Sequence, residues 1–282
     1  MEAASDPFEI RRNVARFDDH VTGYATASEA TRRRLPNRLG LAYGAAPDER
    51  LDLFWPEAPS TRPRPIHMFV HGGYWRSQSK SLYSFIADSV TEADAIAAIV
   101  DYSLMPGARM STLIEQTRRA AAWLVAHADA FGGDPGAISA SGHSAGAHLA
   151  SYLFARAPGE AVGASPTLRG GLLVSGIYDL APITRSFLQP EIGLTPDEIA
   201  AWSPVSSEPS PGASLRLAVG GAETHPFHEH MVAYARTLRE AGATVATRTF
   251  EGEDHMSIVR ALGTPGSPCA ALLGDTILRS QR

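Results

Sequence analysis

The chain has 282 residues, of which 44% are hydrophobic and 20% charged, and its formal net charge is −5. This composition is typical of a globular protein, and the negative charge without a basic cluster argues against a nucleic-acid-binding protein. No apolar run approaches the roughly 20 residues of a membrane span, and residues 1–6 lack the basic and apolar regions of a signal peptide. We therefore expect one cytoplasmic domain over residues 1–282 that binds neither nucleic acid nor membranes.

Strands and helices are predicted to alternate after a polar N-terminal region, residues 1–38, in which one short helix is expected at 28–35. The predicted strands are 39–43, 50–55, 65–70, 95–101, 137–141, 172–175, 215–219 and 244–250, and the predicted helices are 111–131, 145–156, 229–241 and a segment from 257 onward. This alternation predicts an α/β fold with a mainly parallel, twisted sheet covered by helices on both faces. The first strand pair is a candidate antiparallel edge.

Two segments depart from the alternation. Residues 181–211 contain six prolines and the capping-box sequence Thr195-Pro196-Asp197-Glu198. An excursion between two core strands is either a lid that forms a pocket wall or a surface connection, and the sequence leaves both open. Residues 1–38 are interpreted as a cap segment, with packing on the sheet edge as the alternative.

The motif Gly142-His143-Ser144-Ala145-Gly146 follows a predicted strand and precedes a predicted helix. A G-x-S-x-G sequence in that context is typical of a sharp turn that exposes a nucleophilic serine hydroxyl. The amino end of the following helix favours developing negative charge. Ser144 is therefore the predicted nucleophile, and a glycine-rich turn without catalytic role is the alternative.

A second glycine motif, His71-Gly72-Gly73-Tyr74-Trp75, follows the predicted strand 65–70. Acyl transfer places negative charge on a carbonyl oxygen, which backbone amides can stabilise, and glycines allow the backbone to approach closely. We predict an oxyanion hole formed by the amides of Gly73, Tyr74 and Ala145. His71 precedes the nucleophile and is interpreted as a structural hydrogen-bonding residue.

The remaining members of a serine triad in this fold follow the serine in the order acid, then histidine. His255 lies in a loop after the strand 244–250 and is the predicted general base. Glu223 directly follows the strand 215–219 and is the favoured acid, whereas Asp179, after the strand 172–175, is the alternative. The histidines at 225, 228 and 230 match no zinc-binding spacing, and no metal site is predicted.

These motifs resemble the kynurenine formamidase (arylformamidase) branch of the α/β-hydrolases. The resemblance rests on residues 71–75, 142–146 and Ser-Gly-Ile-Tyr-Asp-Leu at 175–180, on the pairing of residues 219–227 with Asp254-His255, and on the element order over roughly residues 40–265. It implies an α/β-hydrolase fold that cleaves a formamide or related N-acyl bond without metal or organic cofactor. It also implies Ser144 as nucleophile and His255 as base, while the family's usual acid is Asp and this chain has Glu223.

Several side chains are candidates for substrate binding. The predicted pocket residues are Trp75, Tyr102, Phe187, Trp202, His225 and Met256, together with the side chain of Tyr74. Core packing is the alternative for each aromatic residue. A substrate carboxylate would be recognised by Arg76, Lys80 or Arg185, each of which could equally be a solvated surface charge.

Three functions follow from these observations. The first is an amidase acting on a small N-formyl or N-acyl substrate, including N-formyl or N-acyl enamines that arise when N-heterocyclic rings are opened. The second is a carboxylesterase for short-chain esters with the same catalytic groups, and the third is a non-catalytic ligand-binding protein on a hydrolase scaffold. A homodimer is a fair expectation for an enzyme of this size.

Overall fold

The computed structural model describes residues 6–161, 168, 170–210 and 212–280. Residues 1–5 of the predicted cap segment and residue 211 of the predicted lid lie outside this range. The strands are β1 (Asn37–Ala42), β2 (Arg50–Phe54), β3 (Arg64–Val70), β4 (Ile96–Val100), β5 (Gly133–His143), β6 (Ala155–Arg156), β7 (Gly170–Val174), β8 (Glu208–Pro209), β9 (Ser214–Gly220) and β10 (Thr244–Phe250).

The α-helices are α1 (Ile10–Asn13), α2 (Phe17–Arg34), α3 (Ile86–Glu92), α4 (Met110–His127), α5 (Ala145–Ser151), α6 (Gln189–Ile192), α7 (Pro196–Trp202), α8 (His225–Glu240), α9 (Ser257–Leu262) and α10 (Pro268–Arg279). Among the described residues, none of these helices is both long and apolar enough to cross a bilayer.

Eight strands form one sheet in the order β1-β2-β4-β3-β5-β7-β9-β10, while β6 and β8 pair separately. Within the eight-stranded sheet, β1 and β2 pair antiparallel, as do β2 and β4, and the remaining pairs are parallel. Every residue of β4 and of β7 is buried, because helices cover both faces and continuous apolar runs are stable only in that setting. The predicted fold class, including its antiparallel edge, is confirmed.

A buried histidine, His67, makes polar contacts inside this sheet. The Nδ1 atom of His67, on β3, lies 2.8 Å from the Ser139 hydroxyl, and its Nε2 atom lies 2.6 Å from the Ser141 hydroxyl, both on β5. Burial lowers the pKa of His67 to about 3. His67 is therefore neutral in the folded protein near neutral pH.

The predicted helix 145–156 is wrong in length, because α5 ends at Ser151. The guanidinium of Arg118 on α4 donates to the carbonyls of Tyr152 and Ala155 at 3.0 and 3.1 Å. Carbonyls beyond a helix end need such partners, and here a side chain from a neighbouring helix supplies them. The chain can therefore leave the helix early and form β6.

The first long helix is also longer than predicted. α2 spans Phe17–Arg34 and buries Tyr24, Ser28 and Thr31 on one face. The Tyr24 hydroxyl donates to the carbonyl of Met256, and the Ser28 hydroxyl donates to that of Leu82 at 2.8 Å. Polar groups on the buried face weaken the apolar periodicity by which a sequence reveals a helix.

Residues 181–210 contain several short helices and the two-residue strand β8. The predicted capping box is present, since the Glu198 amide donates to Thr195 Oγ1 at 3.2 Å and the Thr195 amide donates to the Glu198 carboxylate at 3.1 Å. Arg109, just before α4, also donates to Glu198 at 3.1 Å and to the carbonyl of Ile192 at 3.1 Å. These contacts hold α6 and α7 against the main body.

Candidate active site

Ser144 lies at a sharp turn between β5 and α5. Its φ of 56° and ψ of −122° cost a non-glycine residue on the order of 1–3 kcal/mol. A Cβ on Gly142 would lie 2.3 Å from the Gly146 carbonyl oxygen, and one on Gly146 would lie 2.1 Å from that of Val70. Only glycine therefore fits at both flanking positions, and the backbone can turn sharply enough to place Ser144 at the carboxyl end of the strand.

His255 and Glu223 form a buried hydrogen-bonded pair. Nδ1 of His255 lies 2.6 Å from Oε2 of Glu223, and their side chains are 5% and 0% exposed. The other carboxylate oxygen accepts the Gly220 amide at 2.8 Å and the Ser175 hydroxyl at 2.5 Å. Three donors hold the carboxylate, and the carboxylate in turn holds the imidazole with Nδ1 as its protonated nitrogen and Nε2 available as a base.

Asp179, the alternative acid, lies elsewhere. Its carboxylate accepts the Ala181 amide at 2.9 Å. Among the described residues, Glu223 is the one hydrogen-bond partner of the His255 ring. Glu223 follows β9 and His255 follows β10, which are neighbours in the parallel part of the sheet, so the two loops emerge side by side.

The contribution of Ser175 was not predicted from the sequence. It follows β7, the strand beside β9, and has a φ of 52°. Carboxyl ends of parallel strands meet at one sheet edge, which is where ligands bind in open α/β sheets. The signal that could have identified Ser175 is a polar residue directly after β7, the neighbour of the strand that precedes Glu223.

His143 was also missed as a site residue. Its Nε2 lies 2.9 Å from the His255 carbonyl oxygen, and the two ring centroids are 4.6 Å apart. Burial, and secondarily the nearby His255, hold the pKa of His143 well below its ordinary value, although the hydrogen bond to that carbonyl opposes the shift. The neutral ring therefore donates from Nε2 and ties the loop of His255 to the turn at Ser144.

Residues 71–78, which we call the glycine loop, pack directly against Ser144. A Cβ on Gly72 would lie 3.2 Å from the Ser144 Cβ. Gly73, Tyr74 and Trp75 have φ values of 109°, 55° and 61°, and three successive positive values coil the backbone tightly. The Gly73 carbonyl accepts the amides of residues 76 and 77 at 3.1 and 3.0 Å, which fixes the loop internally.

The coiled loop leaves backbone donors free. Within the described parts of the chain, no group accepts a hydrogen bond from the amides of Gly73, Tyr74 or Ala145. The Ala145 amide is at the first position of α5, where a helix leaves its N–H groups unpaired. All three amides lie in the glycine loop or next to Ser144, so they are available to an anionic or carbonyl oxygen bound there.

A cavity of about 510 Å³ connects these groups, and Ser144, His143, His255 and Gly73 line it. Of the predicted pocket residues, Tyr74, Phe187 and Met256 also line it, and so does Arg76. Another part of the wall comes from the N-terminal segment, which we define as residues 6–34, through Glu9, Ile10, Arg11, Phe17, Asp18 and Val21.

The N-terminal segment is fastened to several loops around the cavity. The Tyr74 hydroxyl donates to the Phe8 carbonyl at 2.6 Å and accepts the Ile10 amide at 2.9 Å. The Thr224 hydroxyl donates to the Pro7 carbonyl at 2.7 Å, and the Asp6 carboxylate accepts the amide of Phe187 at 2.6 Å. The segment thus contacts the glycine loop, the loop that carries Glu223 and residues 181–192.

Two of the predicted pocket aromatics lie in the core instead. Trp75 is fully buried, and its Nε1 donates to Nδ1 of His148 at 3.2 Å. Tyr102 stacks on His71 with ring centroids 4.5 Å apart and donates to the His71 carbonyl at 2.9 Å. Both rings pack in the core and do not face the cavity, because each finds a hydrogen-bond partner inside the core.

Trp202 and His225 are likewise outside the cavity. Trp202 packs edge-on against Tyr152, with centroids 5.3 Å apart. His225 begins α8 with its side chain 80% exposed, beside Glu229, whereas His230 accepts the amide of Tyr178 at 3.0 Å in the interior. Within the described residues, no cluster of three or more His, Cys, Asp or Glu side chains could hold a metal ion.

The three basic residues that were candidates for binding a substrate carboxylate lie in different surroundings. Lys80 lies 3.2 Å from Asp52 and 3.7 Å from Asp101, and Arg185 is exposed outside the cavity. Arg76 alone of the three lines the cavity.

The family assignment follows from comparison with known proteins. A family model described as the alpha/beta hydrolase fold matches residues 67–259, which is more than half of the chain. The chain belongs to the α/β-hydrolase family. In this α/β-hydrolase, the matched region begins on β3 and includes the glycine loop, Ser144, Glu223 and His255.

Two relatives and one solved structure show which members of the family this chain is similar to. The kynurenine formamidase of Danio rerio is 29% identical over 248 residues, which cover 86% of this chain and 83% of that protein. The isoprenylcysteine alpha-carbonyl methylesterase of Arabidopsis thaliana is 34% identical over 156 residues, covering 53% of this chain and 36% of that protein. A solved structure from Silicibacter sp. TM1040, provisionally named a thioesterase, is 28% identical with a TM-score of 0.80, covering 96% of this chain and 97% of that one. The resemblance of this hydrolase to the kynurenine formamidase branch is confirmed.

Proposed function

We propose that this α/β-hydrolase is a serine hydrolase that cleaves a small N-formyl or N-acyl amide through a Ser144–His255–Glu223 triad. The observation that carries the proposal is the buried His255–Glu223 pair on the same cavity as Ser144. A histidine oriented by a carboxylate beside a serine on a strained turn is the arrangement that activates a serine hydroxyl.

The first half of the reaction forms an acyl-enzyme. Ser144 Oγ attacks the substrate carbonyl carbon while His255 Nε2 takes its proton, and Glu223 stabilises the imidazolium. The carbonyl oxygen becomes an oxyanion and accepts hydrogen bonds from the amides of Gly73, Tyr74 and Ala145, each worth on the order of 3 kcal/mol in the transition state. The C–N bond then breaks, and the leaving nitrogen takes the proton from His255.

The second half releases the acyl group. Water attacks the ester carbon while His255 takes one of its protons, and the same amides hold the second oxyanion. The C–O bond to Ser144 breaks, Ser144 regains the proton, and formate or another short acid leaves. Every proton passes through His255, so no group beyond these residues is needed to balance the steps.

An amide substrate is favoured by the breadth of the similarity to kynurenine formamidases, which spans most of this chain and of theirs at 27–29% identity. A short-chain ester is the second candidate, supported by methylesterase and esterase relatives, of which one is 27% identical over 78% of this chain and two others match 53% and 42% of it. Esters are cleaved more easily than amides because an alkoxide is the better leaving group. Activity on an activated ester is therefore expected in either case and does not distinguish the two.

The distinguishing measurement compares kcat/KM for a matched formamide and formate ester that share one aryl group. N-formylkynurenine and a panel of N-formyl and N-acyl enamines extend the comparison. An amide hydrolase turns over at least one formamide with kcat/KM comparable to or above that of its matched ester. Turnover restricted to the esters would assign the protein to the carboxylesterases.

The nucleophile is tested by Ser144→Ala. We expect kcat to fall by about 10⁴-fold or more, because the acyl-enzyme cannot form, and labelling by a fluorophosphonate probe to be lost. Ser151→Ala is the matched control, since its buried hydroxyl is bound to the His148 carbonyl within the same helix. Near-normal turnover by Ser144→Ala, or no labelling of the folded wild-type protein, would remove Ser144 from this role, and the latter would favour a non-catalytic ligand-binding protein.

A further inference from the structure

The loop between β10 and α9, residues 251–256, carries the proposed general base, and we call it the base loop. Its backbone is held by side chains from other elements. The His255 carbonyl lies 2.9 Å from Nε2 of His143, and the next carbonyl, that of Met256, accepts the hydroxyl of Tyr24 on α2. Two successive carbonyls of the base loop are therefore bound from two sides, by the turn that carries the serine and by the N-terminal segment.

A second residue of α2 contacts the same loop. Nε2 of His20, one helical turn before Tyr24, lies 3.8 Å from a carboxylate oxygen of Asp254. The other oxygen of Asp254 accepts the amides of Met256 and Ser257 at 2.8 and 2.7 Å. α2 thus reaches the base loop at one of its carbonyls and at the side chain that organises its amides.

The Tyr24 side chain is a fixed hydrogen-bond donor. It is fully buried, and its ring packs against those of Tyr83 and Phe85 with centroids 5.8 and 5.1 Å apart. Burial raises the pKa of the Tyr24 hydroxyl well above its ordinary value, so the hydroxyl keeps its proton near neutral pH. The Met256 carbonyl also accepts the Arg260 amide, at 3.4 Å, and Tyr24 makes the shorter of these two bonds.

Other residues of α2 face the space where a substrate would bind. Phe17, Asp18 and Val21 line the cavity, and so does Met256 of the base loop. Because backbone hydrogen bonds join these α2 residues in one helix, the same element contacts both the substrate space and the base loop. The two contacts predict different kinetic effects, since loss of the wall weakens binding and raises KM, whereas loss of the contact with the base loop slows the chemical step.

We propose that Tyr24 is a positioning residue for His255 and that α2 sets the position of the base loop relative to Ser144. The inference rests on the proposed role of His255 as general base. Proton transfer requires Nε2 of His255 within hydrogen-bond reach of the serine hydroxyl, and a misplacement of about 1 Å can cost about 10²-fold in rate. Tyr24 lies outside residues 67–259, which the family model matches, so it adds a contribution from the N-terminal segment to the reaction.

Tyr24→Phe removes the hydroxyl and keeps the ring contacts. We expect kcat, on whichever formamide or activated ester the wild-type protein turns over, to fall about 10-fold or more, with KM changed less than about twofold because the cavity wall remains. Ser28→Ala is the matched control, since its buried hydroxyl also joins α2 to a backbone carbonyl, that of Leu82, which lies outside the base loop. It should leave kcat unchanged. An unchanged kcat in Tyr24→Phe, or an equal fall in both variants, would overturn the proposal.

His20→Gln provides a second variant at a partly exposed position, and it decides the question if Tyr24→Phe does not fold. Its kcat should fall about 2- to 5-fold, the range expected for loss of a partly exposed ion pair, again with KM unchanged. A rise in KM at unchanged kcat would show that α2 only forms the cavity wall, and it would overturn the positioning role.

A spectroscopic measurement separates this inference from the proposed function. The Nδ1 proton of His255, in its 2.6 Å bond with Glu223, should give a far-downfield proton resonance, which His255→Ala assigns by its loss. The resonance should shift or broaden in Tyr24→Phe and stay unchanged in Ser28→Ala. If the wild-type protein turns over no amide or ester, the proposed function fails, and this resonance alone decides whether Tyr24 fixes the imidazole. The same resonance in wild type and Tyr24→Phe, or none in the wild type, would overturn the proposal.

Discussion

The acid of the proposed triad is a glutamate, whereas the resemblance to the kynurenine formamidase branch implies an aspartate at this place. The chain after β9 turns tightly, with the Glu223 amide donating to the Gly220 carbonyl at 3.2 Å and the Ala222 amide donating to that of Glu253 at 2.9 Å. This turn brings the side chain back toward its own strand, where the Gly220 amide binds its carboxylate. The longer side chain is thus accommodated by the local backbone.

Substitution of Glu223 is the most direct test of the proposed triad acid. Glu223→Gln should lower kcat/KM by about 10³- to 10⁴-fold, because an amide neither fixes the required tautomer of His255 nor stabilises its protonated form. Asp179→Asn is the matched control and should cost less than about tenfold, since its carboxylate binds the Ala181 amide instead. Steady-state kinetics on both variants, with circular dichroism to verify folding, makes the comparison, and the reverse ranking would transfer the acid role to Asp179.

The roles of single residues could be anticipated where backbone geometry demands a residue type. Gly142, Gly146 and Gly73 stand where any side chain would collide with backbone, so their motifs point to the site from the sequence. Aromatic residues carry no such information. Trp75 lies next to Tyr74 in sequence, yet Trp75 and Tyr102 are both buried in the core, because the side that a ring takes is decided by distant partners.

At the scale of elements, the alternation of strands and helices and the antiparallel edge were predictable because apolar runs mark buried strands. The sequence predicted a cap at the N-terminus but did not identify which of its residues form the cavity wall. Its contacts join positions 64 and 66 apart in sequence through the Tyr74 hydroxyl, and no local pattern encodes such a pairing. Ser175 and His143 were missed for the same reason, since their roles depend on neighbouring strands and loops.

The prediction for this element is that the N-terminal segment loosens when the Tyr74 hydroxyl is removed. Tyr74→Phe removes both hydrogen bonds to residues 8 and 10 but preserves the edge contact with Phe187 at 5.4 Å. We expect KM to rise about 3- to 10-fold, as for the loss of one or two hydrogen bonds, with kcat changed less than about twofold because the Tyr74 amide remains. Trypsin should also cleave faster after Arg11 and Arg12, which are exposed.

The control for this variant is Tyr43→Phe, whose hydroxyl donates to the Asp101 carbonyl away from the cavity. It should leave KM and the cleavage pattern unchanged. If Tyr74→Phe behaves like Tyr43→Phe, the N-terminal segment is held by its apolar contacts, and the hydroxyl has no part in shaping the cavity.

For the molecule as a whole, buried histidines make stability depend on pH. Burial lowers the pKa of His67 to about 3 and that of His148 to about 4, whereas an unfolded histidine titrates near 6.5. Between these values the unfolded chain binds more protons than the folded one. The free energy of unfolding should therefore decrease as pH falls from about 6.5 toward 4, by roughly 1.4 kcal/mol per pH unit for each such histidine.

Denaturant unfolding at a series of pH values measures this slope. His67→Gln should reduce the slope between pH 6 and 4.5 by roughly 1.4 kcal/mol per pH unit, the contribution of one proton, even if the variant is less stable overall. His127→Gln, at an exposed position near the end of α4, should leave it unchanged. A slope that His67→Gln does not alter would show that other groups cause the acid sensitivity.

The contact between Tyr24 and Met256 spans 232 positions of the chain, and it bears on how the protein is made. On the ribosome, α1 and α2 emerge early, but the last of the loops that contact them, and the histidine of the proposed triad, are translated near the end. Until then, Tyr24, which is buried in the finished protein, lacks one of the groups that cover it. Nascent chains that stop before β10 would therefore lack His255 of the proposed triad and would leave part of these helices open to chaperones and proteases.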